Sequence, residues 1–262
     1  MKPHGGTVYP EERQEAIASQ VISAGRASVA ELAQTYDVTT ETVRRDLAVL
    51  DRAGVLRRVH GGAVPARALR VVEPDVTERE TTRAHYKAAI ARAAQDFLPH
   101  NGGSIVLDAG TTTGRLAALL STDRDLVVVT NAVPIAARLC LVPSISLQLL
   151  GGRVRGLTQA AVGGPALRAL DALRVDVAFI GTNGITVAHG LSTPDTEEAA
   201  VKHAMVQSAR FVVVLADSSK FGRDYLMSFA PIGRVDVLIT DPELSLTARD
   251  ELSQSGIEVV IA

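Results

Sequence analysis

From about residue 85 to the C-terminal end, short apolar runs rich in β-branched residues alternate with stretches of helical spacing. No other feature restricts the fold as strongly. The runs are Ser104–Asp108, Leu126–Thr130, Ser146–Leu150, Val177–Gly181, Phe211–Asp217, Val235–Thr240 and Glu258–Ile261. Helical patterns lie near His85–Leu98, Thr113–Leu120, Pro134–Leu141, Thr196–Gln207 and Leu246–Ser255. A strand that is apolar throughout needs cover on both faces, so these runs predict a mostly parallel α/β sheet between helical layers. The stretch Gly151–Val162 interrupts the pattern and holds either a hairpin or an extended loop.

The first sixty or so residues read differently. Ile17, Val21 and Ile22 predict a helix over Glu11–Ala24, which Gly25 is placed to end. Val29, Leu32, Ala33 and Tyr36 give a short second helix. Thr39 or Thr40 caps a third, with Val43, Leu47 and Leu50 on its buried stripe and Gly54 at its end. Val55–Val59 reads as a strand before a turn at Gly61-Gly62. Three helices and a strand are the grammar of a winged helix-turn-helix. At about 100° per residue, Leu47 and Leu50 lie within about 40° of Val43. Glu41, Arg44, Arg45, Ala48 and Arg52 fall on the opposite face. Residues 42–70 hold seven arginines against two aspartates, a net +5 in a chain whose total is −2. A basic segment on an otherwise acidic protein suits phosphate neutralisation along DNA. The candidate DNA contacts are Thr40, Glu41, Thr42, Arg44, Arg45 and Arg52 on the helix, and Arg57, Arg58 and His60 on the wing. The alternative is a small helical bundle with a solvated arginine face. Residues 65–80, with two prolines and little periodicity, read as a linker or as an ordered strap over the second domain. The expected domains are thus 1–64, a linker over 65–80, and 81–262.

In an open α/β sheet, ligands bind beyond the carboxyl ends of the strands. There the chain carries Asp108-Ala-Gly-Thr-Thr-Thr113, Thr130-Asn131, Gly151-Gly152-Arg153, Gly181-Thr-Asn-Gly184 and Asp217-Ser-Ser-Lys220. Gly110 with Thr111, Thr112 and Thr113 forms a phosphate cradle by composition, at the start of a helix where backbone N–H groups point outward. No Gly-Lys-Ser/Thr follows, so it is not a Walker loop. Lys220 is one of only four lysines and is placed to meet a phosphate or sugar oxygen. Asp108 and Asp217 are candidates for sugar hydroxyls, and Glu197, Glu198 and Lys202 for the rim. Taken singly, the aspartates also read as turn caps, Gly-Thr-Thr as a common βα turn and Thr130-Asn131 as an Asx turn. The histidines lack ligand spacing and no metal or cofactor is expected. The single cysteine, Cys140, excludes an internal disulfide and reads as buried helix packing. With no apolar run near 18 residues and no apolar core at the N-terminus, a cytoplasmic protein without a membrane span is expected.

The run Ser28-Val-Ala-Glu-Leu-Ala, then Val38-Thr-Thr-Glu-Thr-Val-Arg-Arg-Asp-Leu47, then Leu50, Gly54, Leu56 and Arg58-Val-His-Gly-Gly-Ala63 closely resembles the DeoR family of bacterial transcription regulators. DAGTTT, VVTNA, GGRVR, FIGTNGI, the Glu198–Lys202 stretch and DSSKFG extend the resemblance over nearly the whole chain. It implies a winged helix-turn-helix on operator DNA and an effector domain similar in fold to ribose-5-phosphate isomerase and CoA-transferase-like proteins. It also implies a phosphorylated sugar effector and a homo-oligomer, dimer or larger. Carried over by position, Gly110, Thr111, Thr112 and Thr113 would hold the phosphate. Asp108, Asn131, Gly151 and Lys220, with Thr130 and Gly152 in the same turns, would line the sugar pocket. The expected function is a regulator, usually a repressor, of a sugar-metabolism operon. The alternative is a sugar-phosphate isomerase with an appended DNA-binding arm, its base drawn from Asp108, Asp217 or Glu198.

Overall fold

The computed structural model describes residues 10–24, 27–53, 55–59, 61–65 and 75–262. The expectations placed on Gly25, Gly54, His60 and residues 66–74, and on the side chains of Arg57 and Arg58, lie outside what is described. The chain divides into two compact units, Met1–Glu73 and Pro74–Ala262.

In the first unit α1 spans Pro10–Ala24, β1 Ala27–Ser28, α2 Val29–Tyr36, α3 Thr40–Arg52, β2 Leu56–Val59 and β3 Gly62–Pro65. Ser28 starts α2 with a reciprocal cap: its hydroxyl accepts from Glu31 N, and the Glu31 carboxylate accepts from Ser28 N. Thr39, of the two threonines considered, caps α3 by accepting from Thr42 N at 3.2 Å. Ile17, Val21, Leu32, Val43, Leu47, Leu50 and Leu56 form the core. Each fully buried aliphatic side chain contributes about 1.5–3 kcal/mol. Of the three apolar residues that predicted α1, Ile17 and Val21 are buried and Ile22 is exposed. The wing is larger than the single strand read from sequence. β2 and β3 pair antiparallel and β1 joins β3, giving the order β1-β3-β2.

The second unit begins with α4, Val76–Thr81, capped by Asp75 and bonded from Val76 N to Leu157 O. The last residues of the stretch read as linker or strap are therefore helical. Then come α5 Ala84–Ala93, β4 Ser104–Leu107, α6 Thr111–Leu119, β5 Leu126–Thr130, α7 Val133–Leu139 and β6 Ile145–Leu149. The interruption after β6 is a hairpin, β7 Arg153–Arg155 with β8 Ala160–Val162, followed by α8 Gly164–Asp171. The remainder is β9 Val175–Ile180, β10 Gly184–Thr186, β11 Gly190–Thr193, α9 Thr196–Ser208, β12 Ala209–Leu215, β13 Met227–Ala230, β14 Val237–Thr240, α10 Leu246–Gln254 and β15 Glu258–Ile261. α8 and the small antiparallel sheet β10-β11-β13 escape the sequence reading because they are short and punctuated by glycine.

The seven-stranded sheet runs β15-β14-β12-β9-β4-β5-β6, and every pair in it is parallel. Alternate residues of each strand enter opposite layers. Ile105, Leu107, Val177 and Phe179 pack with Ile90 of α5, Leu116 of α6 and Leu139 of α7. Val106, Ala178 and Ile180 pack with Leu170 of α8, Met205 of α9 and Leu252 of α10. Cover on both faces is why these strands carry no polar alternation. Cys140 is a correction: it follows the last turn of α7 and is exposed. No helix among the described residues is long and apolar enough to cross a membrane.

Candidate functional site

The order of the large sheet defines a place. From β4 the chain steps outward to β5 and β6, then returns through the hairpin and α8 to β9 on the other side of β4. The winding reverses between β4 and β9, and ligands bind at such a switch point beyond the strand ends. A small crevice opens there. Its walls are the Gly110–Thr113 turn, Gly181 and Thr182 after β9, Ala216, Asp217 and Lys220 after β12, and Arg79 and Lys87 from α4 and α5.

The Gly110–Thr113 turn opens α6, at the helix start where the sequence placed it. Gly110 is the cap residue of α6, and the first-turn amides of a helix have no partner within it. Thr111 and Thr112 are buried beside the crevice, whereas the Thr113 hydroxyl donates to Gly110 O at 3.0 Å and so braces the turn. Lys220 lies on a short helical turn started by Asp217, whose carboxylate accepts from Ser219 N at 3.1 Å. Arg83 holds the same carboxylate at 3.2 Å and reaches Asp241 and Glu243 as well.

Beneath the crevice lies a buried ion pair. Lys202 of α9 donates to the Asp108 carboxylate and to Gly181 O, and Asp108 also accepts from Gly181 N at 3.0 Å. Burial pushes the Asp108 carboxyl up, against the pull of the Lys202 ammonium. Glu198 and Lys202, expected at the rim, are buried instead. Glu198 is bound by Arg155 at 3.2 Å and by the Thr158 hydroxyl, which ties the β7-β8 hairpin to α9. Only Glu197 of that group is exposed, in an ion pair with Arg153.

Five residues expected at the pocket, Asp108, Thr130, Asn131, Gly151 and Gly152, are not among those lining the crevice. Thr130 donates to Leu107 O at 2.7 Å and accepts from Ala132 N. Asn131 accepts from Ala109 N at 3.0 Å and donates to Ala161 O at 3.2 Å, so it holds the cradle turn against β8. Gly151 and Gly152 do not line the crevice. Gly152 has φ +144°, and a Cβ there would sit 2.3 Å from Val162 O, so glycine is required to close the hairpin.

Sequence reasoning missed Lys87 and Arg79. The available signal was scarcity: of four lysines, three gather at this switch point. Lys87 donates to Arg79 O, and burial lowers its ammonium to about 8. Burial also lowers Lys220, with Asp217 opposing and Arg79 adding to the effect. Two partly desolvated ammonium groups and a helix start facing one crevice favour a dianion.

In the first unit, Arg44, Arg45, Arg52, Glu41 and Thr40 are exposed on α3 and Thr42 is half-buried, all away from the core stripe. Glu41 lies 3.6 Å from both Arg44 and Arg45. Asp46, on the other side, is buried and bound by Arg13 at 2.7 Å and by Gln14. The exposed face of α3 is thus dominated by arginine.

Residues 13–67 match the DeoR-like helix-turn-helix domain, and residues 82–242 match the DeoR C-terminal sensor domain. The chain belongs to the DeoR family of transcriptional regulators. It is 39% identical to the HTH-type transcriptional regulator FruR of Bacillus subtilis, over 95% of this chain and 98% of that one. It is 31% identical to the HTH-type transcriptional repressor GlcR of the same organism, over 97% of each. Among solved structures, ribose 5-phosphate isomerase A of Methanocaldococcus jannaschii aligns at 18% identity and a TM-score of 0.40, over 53% of this chain and 55% of that one. As a DeoR regulator, the chain pairs a DNA-binding unit with a sensor unit.

Proposed function

We propose that this DeoR regulator represses an operon of sugar metabolism and that a phosphorylated sugar, bound in the switch-point crevice, controls its hold on operator DNA. The observation that carries this reading is the convergence of Lys87, Lys220 and the N-terminus of α6 on one crevice. Gly110, Thr111 and Thr112 would take the phosphate with Lys220 and Lys87. Asp108, Asn131 and Thr130 would shape the floor. On the DNA side, α3 would enter the major groove with Thr40, Thr42, Arg44 and Arg45 toward the base edges, and a dimer would match two half-sites. An effector acts only through different affinities for two states, and a hundredfold change in operator affinity needs about 2.7 kcal/mol of coupling. The carboxylates needed for isomerase chemistry are otherwise engaged: Asp108 with Lys202, Asp217 with Arg83 and Glu198 with Arg155.

The test is fluorescence anisotropy on the upstream DNA at ~150 mM salt, titrated with sugar phosphates. Affinity no better than for unrelated DNA would sink the DNA half of the reading. Arg45→Ala weakens operator binding by about 5- to 150-fold, the equivalent of 1–3 kcal/mol for a good base contact, and leaves effector affinity intact. Equal loss of both would point to misfolding.

The crevice also sets a pH profile. A phosphate monoester gains its second charge near pH ~6, and Lys87 loses its charge near 8. Effector affinity, read by titration calorimetry, therefore rises from pH 5 to 7 and falls above about 8. In Lys87→Met the alkaline fall is smaller. Constant affinity from pH 7 to 9.5 would remove Lys87 from the site.

A further inference from the structure

A second and larger cleft opens beside the crevice and shares Gly110 and Thr111 with it. It runs between α6 and α7. Thr111, Gly114, Arg115 and Ala118 line one side, positions i, i+3, i+4 and i+7 of a single helical face. Ile135 and Arg138 line the other, and Glu80 of α4 stands at the edge. Gly114 lies inside α6, where glycine is a poor helix former. A Cβ there would meet nothing within 4 Å, so packing within the protein does not require glycine at this position.

The charges of the cleft are unevenly answered. Arg115 is held by Glu80 at 2.5 Å, yet its Nε is buried without a hydrogen-bond partner. Arg138 is exposed and has no carboxylate partner among the described residues. In the cleft, Arg115 and Arg138 stand against Glu80, a surplus of one positive charge.

We infer that the effector spans both clefts: its phosphate in the crevice, its carbon skeleton along Gly114, and a second anionic group, phosphate or carboxylate, at Arg138. This rests on the reading of the crevice as a phosphate site. The effector class is then a phosphorylated sugar with an acidic group at its far end.

The experiment is calorimetric titration of the full-length protein at pH 7 with inorganic phosphate, glucose 6-phosphate, a hexose 1,6-bisphosphate and 6-phosphogluconate. The bisphosphate or the phosphorylated acid binds at least tenfold tighter than glucose 6-phosphate, and the tighter of the two tells phosphate from carboxylate. Arg138→Ala cuts that margin below threefold and leaves glucose 6-phosphate affinity unchanged. Gly114→Leu fills the cleft: it loses the sugar ligands by tenfold or more, keeps inorganic phosphate, and melts no lower than the wild type. If the doubly anionic ligands bind no tighter, or the margin survives Arg138→Ala, the inference is overturned, as it is if Gly114→Leu keeps its sugar ligands. The crevice reading still stands in those cases provided Lys220→Ala loses inorganic phosphate. If phosphate does not bind, or binds equally to Lys220→Ala, both fall together.

Discussion

Asp108→Ala destabilises the sensor unit by about 3–5 kcal/mol, the cost of leaving a buried charge without its partner. Lys202 lies almost wholly inside the fold, and its remaining acceptor is Gly181 O at 2.9 Å. The same substitution strips Gly181 N of its acceptor. Against a typical total of about 5–15 kcal/mol, a loss of this size brings the unit close to unfolding at ordinary temperature. Calorimetric melting and urea unfolding followed by circular dichroism measure it. The chain has no tryptophan, so intrinsic tryptophan fluorescence offers no signal. Asp108→Leu combined with Lys202→Met recovers much of the loss, because two apolar groups of similar size remove both desolvated charges together. If Asp108→Ala melts within a degree of the wild type, the pair is not the floor of the site.

Lys220→Ala gives a regulator that binds its operator normally and no longer responds to effector. A hydrogen bond to a charged group is worth about 1.5–3 kcal/mol, so effector affinity falls by roughly 10- to 150-fold. The remaining cations, Lys87 and Arg79, keep some anion binding. Lys220 belongs to the second unit and the arginine face of α3 to the first, so operator affinity is expected to be unchanged. Anisotropy on operator DNA with and without effector reads both quantities from one sample. A Lys220→Ala protein that keeps full effector response places the phosphate elsewhere.

Much of the architecture was legible because periodic patterns report burial directly. The seven apolar runs are the seven strands of the parallel sheet, each within two residues, since a strand buried on both faces cannot admit polar residues. Val43, Leu47 and Leu50 marked the inner stripe of α3 by phase alone. The small sheet β10-β11-β13 and α8 were not legible, because segments of three to eight residues hold too few positions to set a period. Cys140 was misplaced for a related reason: at the end of a helix, the final turn decides which way a side chain faces.

The candidate site divides along the same line. That the Gly110–Thr113 turn and Lys220 lie at strand ends was readable because turn chemistry and helix starts are local properties of the chain. The partnerships of Asp108 with Lys202, of Glu198 with Arg155, and of Lys87 with the crevice join residues far apart in sequence. The order of the strands brings them together, and no local pattern records that order. Sequence alone therefore determined which segments fold and which turns open helices with glycine and hydroxyl residues. Tertiary structure decided which charges are buried, which are paired, and which line the crevice, because burial and pairing arise only when distant elements pack against one another.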